Sequence, residues 1–320
     1  MTYSQAISEA LVMGMRLNSK VFITGIGVDY PVGVFGTTKE ALDEFGNSRV
    51  FDSPSMENAL TGICIGASAM GMRPVIVHHR NDFMFLAFDQ MINLAAKWRY
   101  MFGGNAGQVP IVVRGIIGRG WGQGATHSQS LQSPIAHFPG IAVVMPATPA
   151  DAKGLLMRAI EDPNPVLFFE HKLLYRSVSG GVAAAPYLIE EGKATVHDHG
   201  DDFCIVTYGW GVHKALDCIK EHNLNGRVID LRTLIPWDKE EVAAQVKATG
   251  KVLVLTEDTL TGSIASDIAA WISEHCFQDL DAPVQRLGSL DTPVPLAKTL
   301  EDHFLPWERL PLALKSLIEY

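Results

Sequence analysis

The sequence predicts an α/β protein of two domains, each a mostly parallel sheet flanked by helices. Two observations lead there. Short apolar runs that read as buried strands alternate with segments of helical periodicity along nearly the whole chain, the pattern of a doubly wound sheet. The alternation lapses once, at residues 177–186, an uncharged stretch of little periodicity that reads as a linker, and then starts afresh. The domains are therefore expected at 1–180 and 181–320. A chain of 320 residues with 47% hydrophobic content is long enough to bury two cores.

Residues 2–17 put Ile7, Ala10, Leu11, Gly14 and Met15 on one face, with Thr2 and Gln5 spaced as a capping box, so an amphipathic helix opens the fold. Residues 21–24 read as a short strand entering a loop rich in Gly and Pro, 39–45 as a helix and 49–51 as a strand. In Asp52-Ser53-Pro54 a polar residue precedes a proline, which suits a first helical position. A helix is expected from Pro54, capped by Ser53, with Glu57 in its first turn. Ala59, Gly62, Ile63, Gly66 and Met70 recur along it as a narrow, mostly small-residue face that invites another helix. Residues 73–77 read as a buried strand that ends in the polar run His78-His79-Arg80-Asn81-Asp82 before Phe83. A long helix is expected over 84–102 and a second buried strand over 109–114, leading into Gly118-Arg119-Gly120-Trp121-Gly122-Gln123-Gly124 and Thr126-His127-Ser128-Gln129. Two buried strands thus end in polar loops, which in parallel sheets is where sites form. Residues 139–146 read as loop and strand, 148–160 as a helix begun by Thr148 and Pro149, and 166–170 as a strand. The second domain alternates strands at 204–207, 226–229 and 252–256 with helices at 212–222, 239–248 and 263–275.

Composition excludes several classes. Residues 1–185 carry 14 Lys and Arg against 13 Asp and Glu, whereas 186–320 carry 12 against 22. The acidic half argues against nucleic acid and permits a basic protein partner, although acidic surfaces commonly serve solubility alone. Cys64, Cys204, Cys218 and Cys276 have no paired spacing, so neither a zinc site nor a disulfide framework is expected. The N-terminus lacks a basic segment followed by an apolar core, and no apolar run reaches the roughly 18 residues needed to span a bilayer, so no membrane role and a cytoplasmic location are expected. The glycine-rich loop fails as a dinucleotide fingerprint, because after Gly118 and Gly120 the third required position is Gln123. It reads instead as a flexible loop that shapes or gates a pocket.

An ordered set of motifs then identifies a family. Ser-Pro-x-x-Glu57, the helix with Gly62 and Gly66, Phe83, Asp89-Gln90, Ala95-Ala96-Lys97, Gly103-Gly104, His127-Ser128-Gln129 and Asp151-Ala152-Lys153-Gly154 resemble the beta subunit of 2-oxoacid dehydrogenase complexes, pyruvate dehydrogenase beta included. Residues 228–238 and Thr256-Glu257-Asp258 with Gly262 are similar to the transketolase-type C-terminal domain of that family. The resemblance covers nearly the whole chain. It implies a thiamine-binding, pyrimidine-type domain followed by a transketolase C-terminal-like domain. The implied activity is an oxidoreductase that decarboxylates a small 2-oxoacid on thiamine diphosphate and passes the acyl group to lipoyl on a separate acyltransferase.

Roles follow from the same resemblance. Thiamine's aminopyrimidine acts as a base only when its ring nitrogen is bonded to an acid, and Glu57 is implied as that acid. Phe83 is implied as the aromatic that stacks on the pyrimidine, and His127 as the histidine facing the reacting substrate. Taken alone, Glu57 reads as an acidic residue complementing a helix dipole, Phe83 as core and His127 as an ordinary loop residue. The Gly-Asp-Gly metal motif of thiamine enzymes is absent, and only Gly200-Asp201-Asp202 comes near it. Magnesium and the diphosphate are therefore expected on an alpha subunit, in an α2β2 heterotetramer. Some members also hold potassium, which by resemblance falls at Ile111, Ala159, Asp162 and Asn164.

The chain departs from the family in two places. Gly25-Ile26-Gly27-Val28 lacks an acidic group common there, which puts communication between paired active sites in question. The 78–82 run is more cationic than usual, fitting either an anionic substrate group or a buried hydrogen-bond network. The identity of the 2-oxoacid stays open. So do two alternatives: half of a split transketolase, and a non-catalytic structural partner of an alpha chain.

Overall fold

The computed structural model describes residues 1–30, 32–120 and 122–320. They form two compact units, 1–117 with 135–191 and 118–134 with 192–320. The expected boundary at 180/181 falls inside the extended segment that runs to Glu191.

In the first unit, β1 (Val21–Gly25), β2 (Val50–Asp52), β3 (Arg73–His78), β4 (Val112–Ile117), β5 (Ala142–Val144) and β6 (Val166–His171) run in the order β5-β6-β4-β3-β1-β2. Every neighbouring pair is parallel. The central strands are mostly apolar on both faces, as a sheet covered on both sides requires, and Ile23, Ile76, Val77, Val113 and Phe168 are fully buried. β1 and β3 approach closely at Gly25, where a Cβ would lie 2.4 Å from the Val77 carbonyl oxygen.

The Tyr3–Leu17 helix opens with the expected capping box, and Ile7, Ala10, Leu11, Gly14 and Met15 are buried. It packs on the Pro149–Glu161 helix, which Thr148 caps at the Asp151 amide. Inside the sheet, Arg114 on β4 and Glu170 on β6 form a fully buried two-pronged ion pair, Nε to Oε1 at 2.5 Å and Nη2 to Oε2 at 2.8 Å. Tyr175 donates to Glu170 Oε2 at 2.7 Å, and Arg114 Nη2 donates to Thr37 Oγ1 at 2.9 Å. Burial, and then the neighbouring Glu170 carboxylate, hold the Tyr175 hydroxyl well above its ordinary pKa, so it remains a donor.

Three local expectations are corrected. The helix expected from Pro54 begins at Glu57, after an N-cap Met56 that makes no side-chain cap bond, and the Ser53 hydroxyl turns back to the carbonyls of Gly25 and Pro54. The strand expected from Val109 starts at Val112, because Pro110 has no N–H to give to a ladder. The helix expected over 84–102 is three pieces: a 3₁₀ segment (Asn81–Ala87), a π segment (Asp89–Ala95) and a short α-helix (Trp98–Met101). Asn58 donates to the Leu86 carbonyl at 3.2 Å and accepts from Gln90 at 3.1 Å, and these ties to the Glu57–Ala69 helix fix a register that local periodicity does not carry.

The second unit has β7 (Thr195–Asp198), β8 (Cys204–Thr207), β9 (Arg227–Asp230), a short β10 (Thr233–Ile235), β11 (Val252–Thr259) and β12 (Gln285–Ser289). Its five-stranded sheet has the order β12-β11-β8-β9-β7, parallel except for β7 against β9. The Trp210–Glu221, Lys239–Thr249 and Ile264–His275 helices fall where periodicity puts them. Among the described residues no helix is long and apolar enough to cross a membrane.

Candidate active site

The carboxyl ends of β1, β2, β3 and β6 deliver the polar residues of the first unit. Glu57 follows β2 and is the first residue of the Glu57–Ala69 helix. Its side chain turns inward, leaving the residue 9% exposed, while its own backbone oxygen accepts from Thr61 Oγ1 at 2.8 Å. No described residue gives its carboxylate a hydrogen bond or an ion pair, and only the helix N-terminus favours its charge. Buried carboxylates are ordinarily paired, so this one is built to meet a group from outside the chain.

Phe83 lies in the 3₁₀ segment after β3 and is 42% exposed, so it is not a core residue. The helix face that runs from Ala59 through Ile63 and Gly66 to Met70 is open, Ile63 being 67% and Met70 86% exposed, whereas Leu60, Cys64 and Ile65 face inward. The sequence expected another helix on that face; the Gln90 side chain of the π segment lies against Gly62, while Ala59, Ile63, Gly66 and Met70 stay exposed.

Within the run after β3 the side chains separate. His78 is buried, and desolvation lowers its pKa to about 4, so it is neutral near pH 7. His79 is exposed. The Arg80 guanidinium is sequestered, with Asp82 Oδ2 3.7 Å from its Nε. The expected alternative of a buried hydrogen-bond network fails for Arg80, since none of its three side-chain nitrogens has an acceptor.

His127 belongs to the second unit, in the segment 118–134. It is exposed, its Nδ1 3.0 Å from Thr126 Oγ1, between the buried Gly124 and Ser128. The loop expected to shape or gate a pocket is tied at two of its amides. The buried Glu301 carboxylate accepts from the amides of Gly120 at 2.8 Å and Gly122 at 2.9 Å. Arg119 donates to the carbonyls of Ser128, at 2.8 Å, and of Glu257. Ser133 donates to Asp258 Oδ2 at 2.6 Å, and burial first of all raises the Asp258 pKa. Arg119 and Asp258 stand within motifs read from the sequence, but these contacts, together with Ser133 and Glu301 themselves, escaped that reading because most of the partners lie more than a hundred residues away. Trp121, which the sequence placed in this loop, lies outside the described residues.

Of the four residues implied for potassium, Ala159, Asp162 and Asn164 share the turn that ends the Pro149–Glu161 helix. The Ala159 carbonyl accepts from the Asp162 amide at 3.3 Å, and the Ile111 carbonyl from the Val166 amide at 2.9 Å. Arg73 Nη1 donates to the carbonyls of Ile160 at 2.7 Å and Asp162 at 3.0 Å, bringing one positive charge to this turn. Among the described residues no cluster of three or more His, Cys, Asp or Glu side chains is arranged for a metal.

Residues 1–178 match the family described as transketolase, pyrimidine binding domain, and residues 192–309 match transketolase, C-terminal domain. The chain is 44% identical to the 2-oxoisovalerate dehydrogenase subunit beta of Bacillus subtilis (strain 168), over 100% of this chain and 99% of that one. The chain belongs to the family of 2-oxoacid dehydrogenase beta subunits. Within that thiamine diphosphate-dependent family it is also 38% identical to the pyruvate dehydrogenase E1 component subunit beta of the same organism, over 96% of this chain and 94% of that one. It is 40% identical, over 95% and 92%, to the beta subunit of the organism's acetoin:2,6-dichlorophenolindophenol oxidoreductase. The fold extends to a solved split-gene transketolase, an inactive beta4 tetramer, with a TM-score of 0.80 at 22% identity, covering 100% of this chain and 98% of that one. A dehydrogenase beta subunit works with an alpha partner.

Proposed function

We propose that this chain supplies the proton-handling half of the active site of a 2-oxoacid dehydrogenase. In this reading it joins an alpha subunit in an α2β2 heterotetramer in the cytoplasm, decarboxylates a 2-oxoacid and passes the acyl group to the lipoyl arm of an acyltransferase. One observation carries the reading: Glu57 is only 9% exposed, and its carboxylate has no hydrogen-bond or ion-pair partner among the described residues. Thiamine diphosphate, when bound, supplies the carbanion that attacks the keto carbon. The chain's part is to hold a proton between the Glu57 carboxyl and the pyrimidine ring nitrogen, to offer the exposed Phe83 ring as a stacking surface, and to present the His127 imidazole toward the substrate. Magnesium and the diphosphate fall to the alpha subunit. Potassium falls by resemblance at Ile111, Ala159, Asp162 and Asn164, but the Arg73 guanidinium already occupies the Asp162 carbonyl of that turn, so the residues as arranged do not favour a second cation.

The open face from Ala59 to Met70 supports the alpha partner, because small residues let another helix approach closely and large exposed side chains such as Ile63 and Met70 gain by burial. Calorimetry tests the division of labour. The chain alone, titrated with thiamine diphosphate and magnesium, should give no binding heat, and adding the alpha subunit should create one cofactor site per pair together with 2-oxoacid decarboxylation. Tight stoichiometric binding by the lone chain contradicts it.

A further inference from the structure

Three basic side chains stand just beyond the carboxyl ends of two strands. His79 and Arg80 follow β3 directly, and Lys172 follows β6 directly. The Arg80 side chain is only 11% exposed. Its Nε, Nη1 and Nη2 are buried and none has a hydrogen-bond acceptor, Asp82 being too distant at 3.7 Å. A guanidinium carries five N–H donors, and leaving them unmet away from water is unfavourable. Arg114 in the same sheet shows the ordinary solution, a two-pronged carboxylate.

The Phe35 ring gathers the other members. Lys172 Nζ lies 4.9 Å from its centroid, the His79 ring meets it edge-on at 5.1 Å, and Tyr175 lies 5.6 Å away. Val34 and Phe35 hold this arrangement at φ of 33° and 58°, a region that side-chain-bearing residues rarely enter and that clusters at ligand sites. The positive groups oppose one another. Although the His79 residue is exposed overall, partial desolvation of its ring, then Lys172, then Arg80 lower its pKa, with Asp52 acting in the opposite sense. Burial and then Arg80 lower that of Lys172, and burial lowers that of Arg80 against Asp82 and Tyr175.

We infer that Arg80, with Lys172 and His79, forms a subsite for a second anionic group on the substrate, a carboxylate or a phosphate remote from the reacting keto carbon. The inference rests on the dehydrogenase reading and adds the substrate class to it. A carboxylate or phosphate that offers two oxygens meets the guanidinium fork and offsets the mutual repulsion of the cations. An uncharged 2-oxoacid chain leaves the Arg80 donors unmet, and discrimination is strongest where a site's buried polar groups are left unpaired.

Two arms test the subsite. In the first, the His79 ring of the full chain is followed by NMR with labelled histidine while glutarate, inorganic phosphate or neutral glutaramide is added. Glutarate or phosphate should raise the His79 pKa saturably, glutaramide should not, and Arg80→Gln should abolish the response. The effective anion then tells a dicarboxylic from a phosphorylated substrate, and no response to either anion overturns the subsite. In the second, the assembled enzyme is given two 2-oxoacids of equal length, one ending in a carboxylate and one in an amide. The kcat/KM ratio should favour the acid on the order of 10²-fold and fall at least tenfold in Arg80→Gln, with Arg80→Lys between them because it keeps the charge and loses the fork. A ratio unmoved by both substitutions overturns the subsite. If no 2-oxoacid is decarboxylated at all, the dehydrogenase reading fails, and the NMR arm decides the subsite separately.

Discussion

The first unit buries charge in two ways. Between β4 and β6, Arg114 and Glu170 are fully withdrawn from water and nearly fully paired, only Arg114 Nη1 lacking an acceptor. Beyond the strand ends, Glu57 and Arg80 are largely buried residues whose side chains make no hydrogen bond among the described residues. A satisfied pair inside the sheet fixes the strands to each other and asks for nothing more. Unsatisfied charges at the carboxyl ends of parallel strands are poised for a ligand, and their cost falls on stability until that ligand arrives.

The contrast makes opposite predictions for superficially similar substitutions. Glu170→Gln leaves Arg114 charged and short of a counterion in the sheet interior, and should lower unfolding stability by about 3–5 kcal/mol, read from urea midpoints. A change below 1 kcal/mol would mean that the pair is not what holds β4 to β6. His78 is next. Its folded pKa of about 4 lies below the ordinary 6.5, so the native state binds fewer protons; the stability is present above pH 6.5 and is lost as pH falls toward 4. The loss should reach about 3 kcal/mol, since one pKa unit is worth roughly 1.4 kcal/mol. His78→Gln should flatten the stability profile between those pH values, and an unchanged slope would assign it to another group.

Smaller effects sharpen the comparison. Tyr175→Phe removes one charge-assisted hydrogen bond to Glu170 and should lower stability by about 2 kcal/mol, because Arg114 still holds the carboxylate. Arg80→Met should leave stability within about 1 kcal/mol or raise it, since it removes donors that no described residue accepts from and loses only the long 3.7 Å contact to Asp82. A loss as large as that of Glu170→Gln would erase the distinction between the two arginines.

What the sequence made legible was local. The capping box at Thr2 and Gln5, the buried face from Ile7 to Met15 and the Thr148 cap are written in spacings of three and four residues, and each is where the spacing puts it. The break of the 84–102 segment was not legible, because it depends on Asn58, some thirty residues upstream, tying to Leu86 and Gln90. Motifs named Glu57, Phe83 and His127, yet only burial and the lack of partners separate Glu57 from an ordinary first-turn acid. The sequence singled out Arg80 within the cationic 78–82 run but left an anion site and a buried network as alternatives, and it gave no sign of the Arg114–Glu170 pair. Lys172 had one usable signal, a basic residue directly after a buried strand. Its approach to Phe35 depends on a loop conformation that spacing does not encode.

The central claim is that Glu57 is unpaired because its partner is the cofactor's pyrimidine ring. Its helix begins without a side-chain cap and tolerates either an acid or an amide at that position, so Glu57→Gln should fold and assemble with the alpha subunit as the wild type does. Hydrogen–deuterium exchange at the thiazolium carbon of bound thiamine diphosphate, followed by NMR after acid quench, then reads the proton-handling step directly. The account predicts a slowing on the order of 10²–10⁴-fold in the intact heterotetramer. An exchange rate equal to that of the wild type would contradict it.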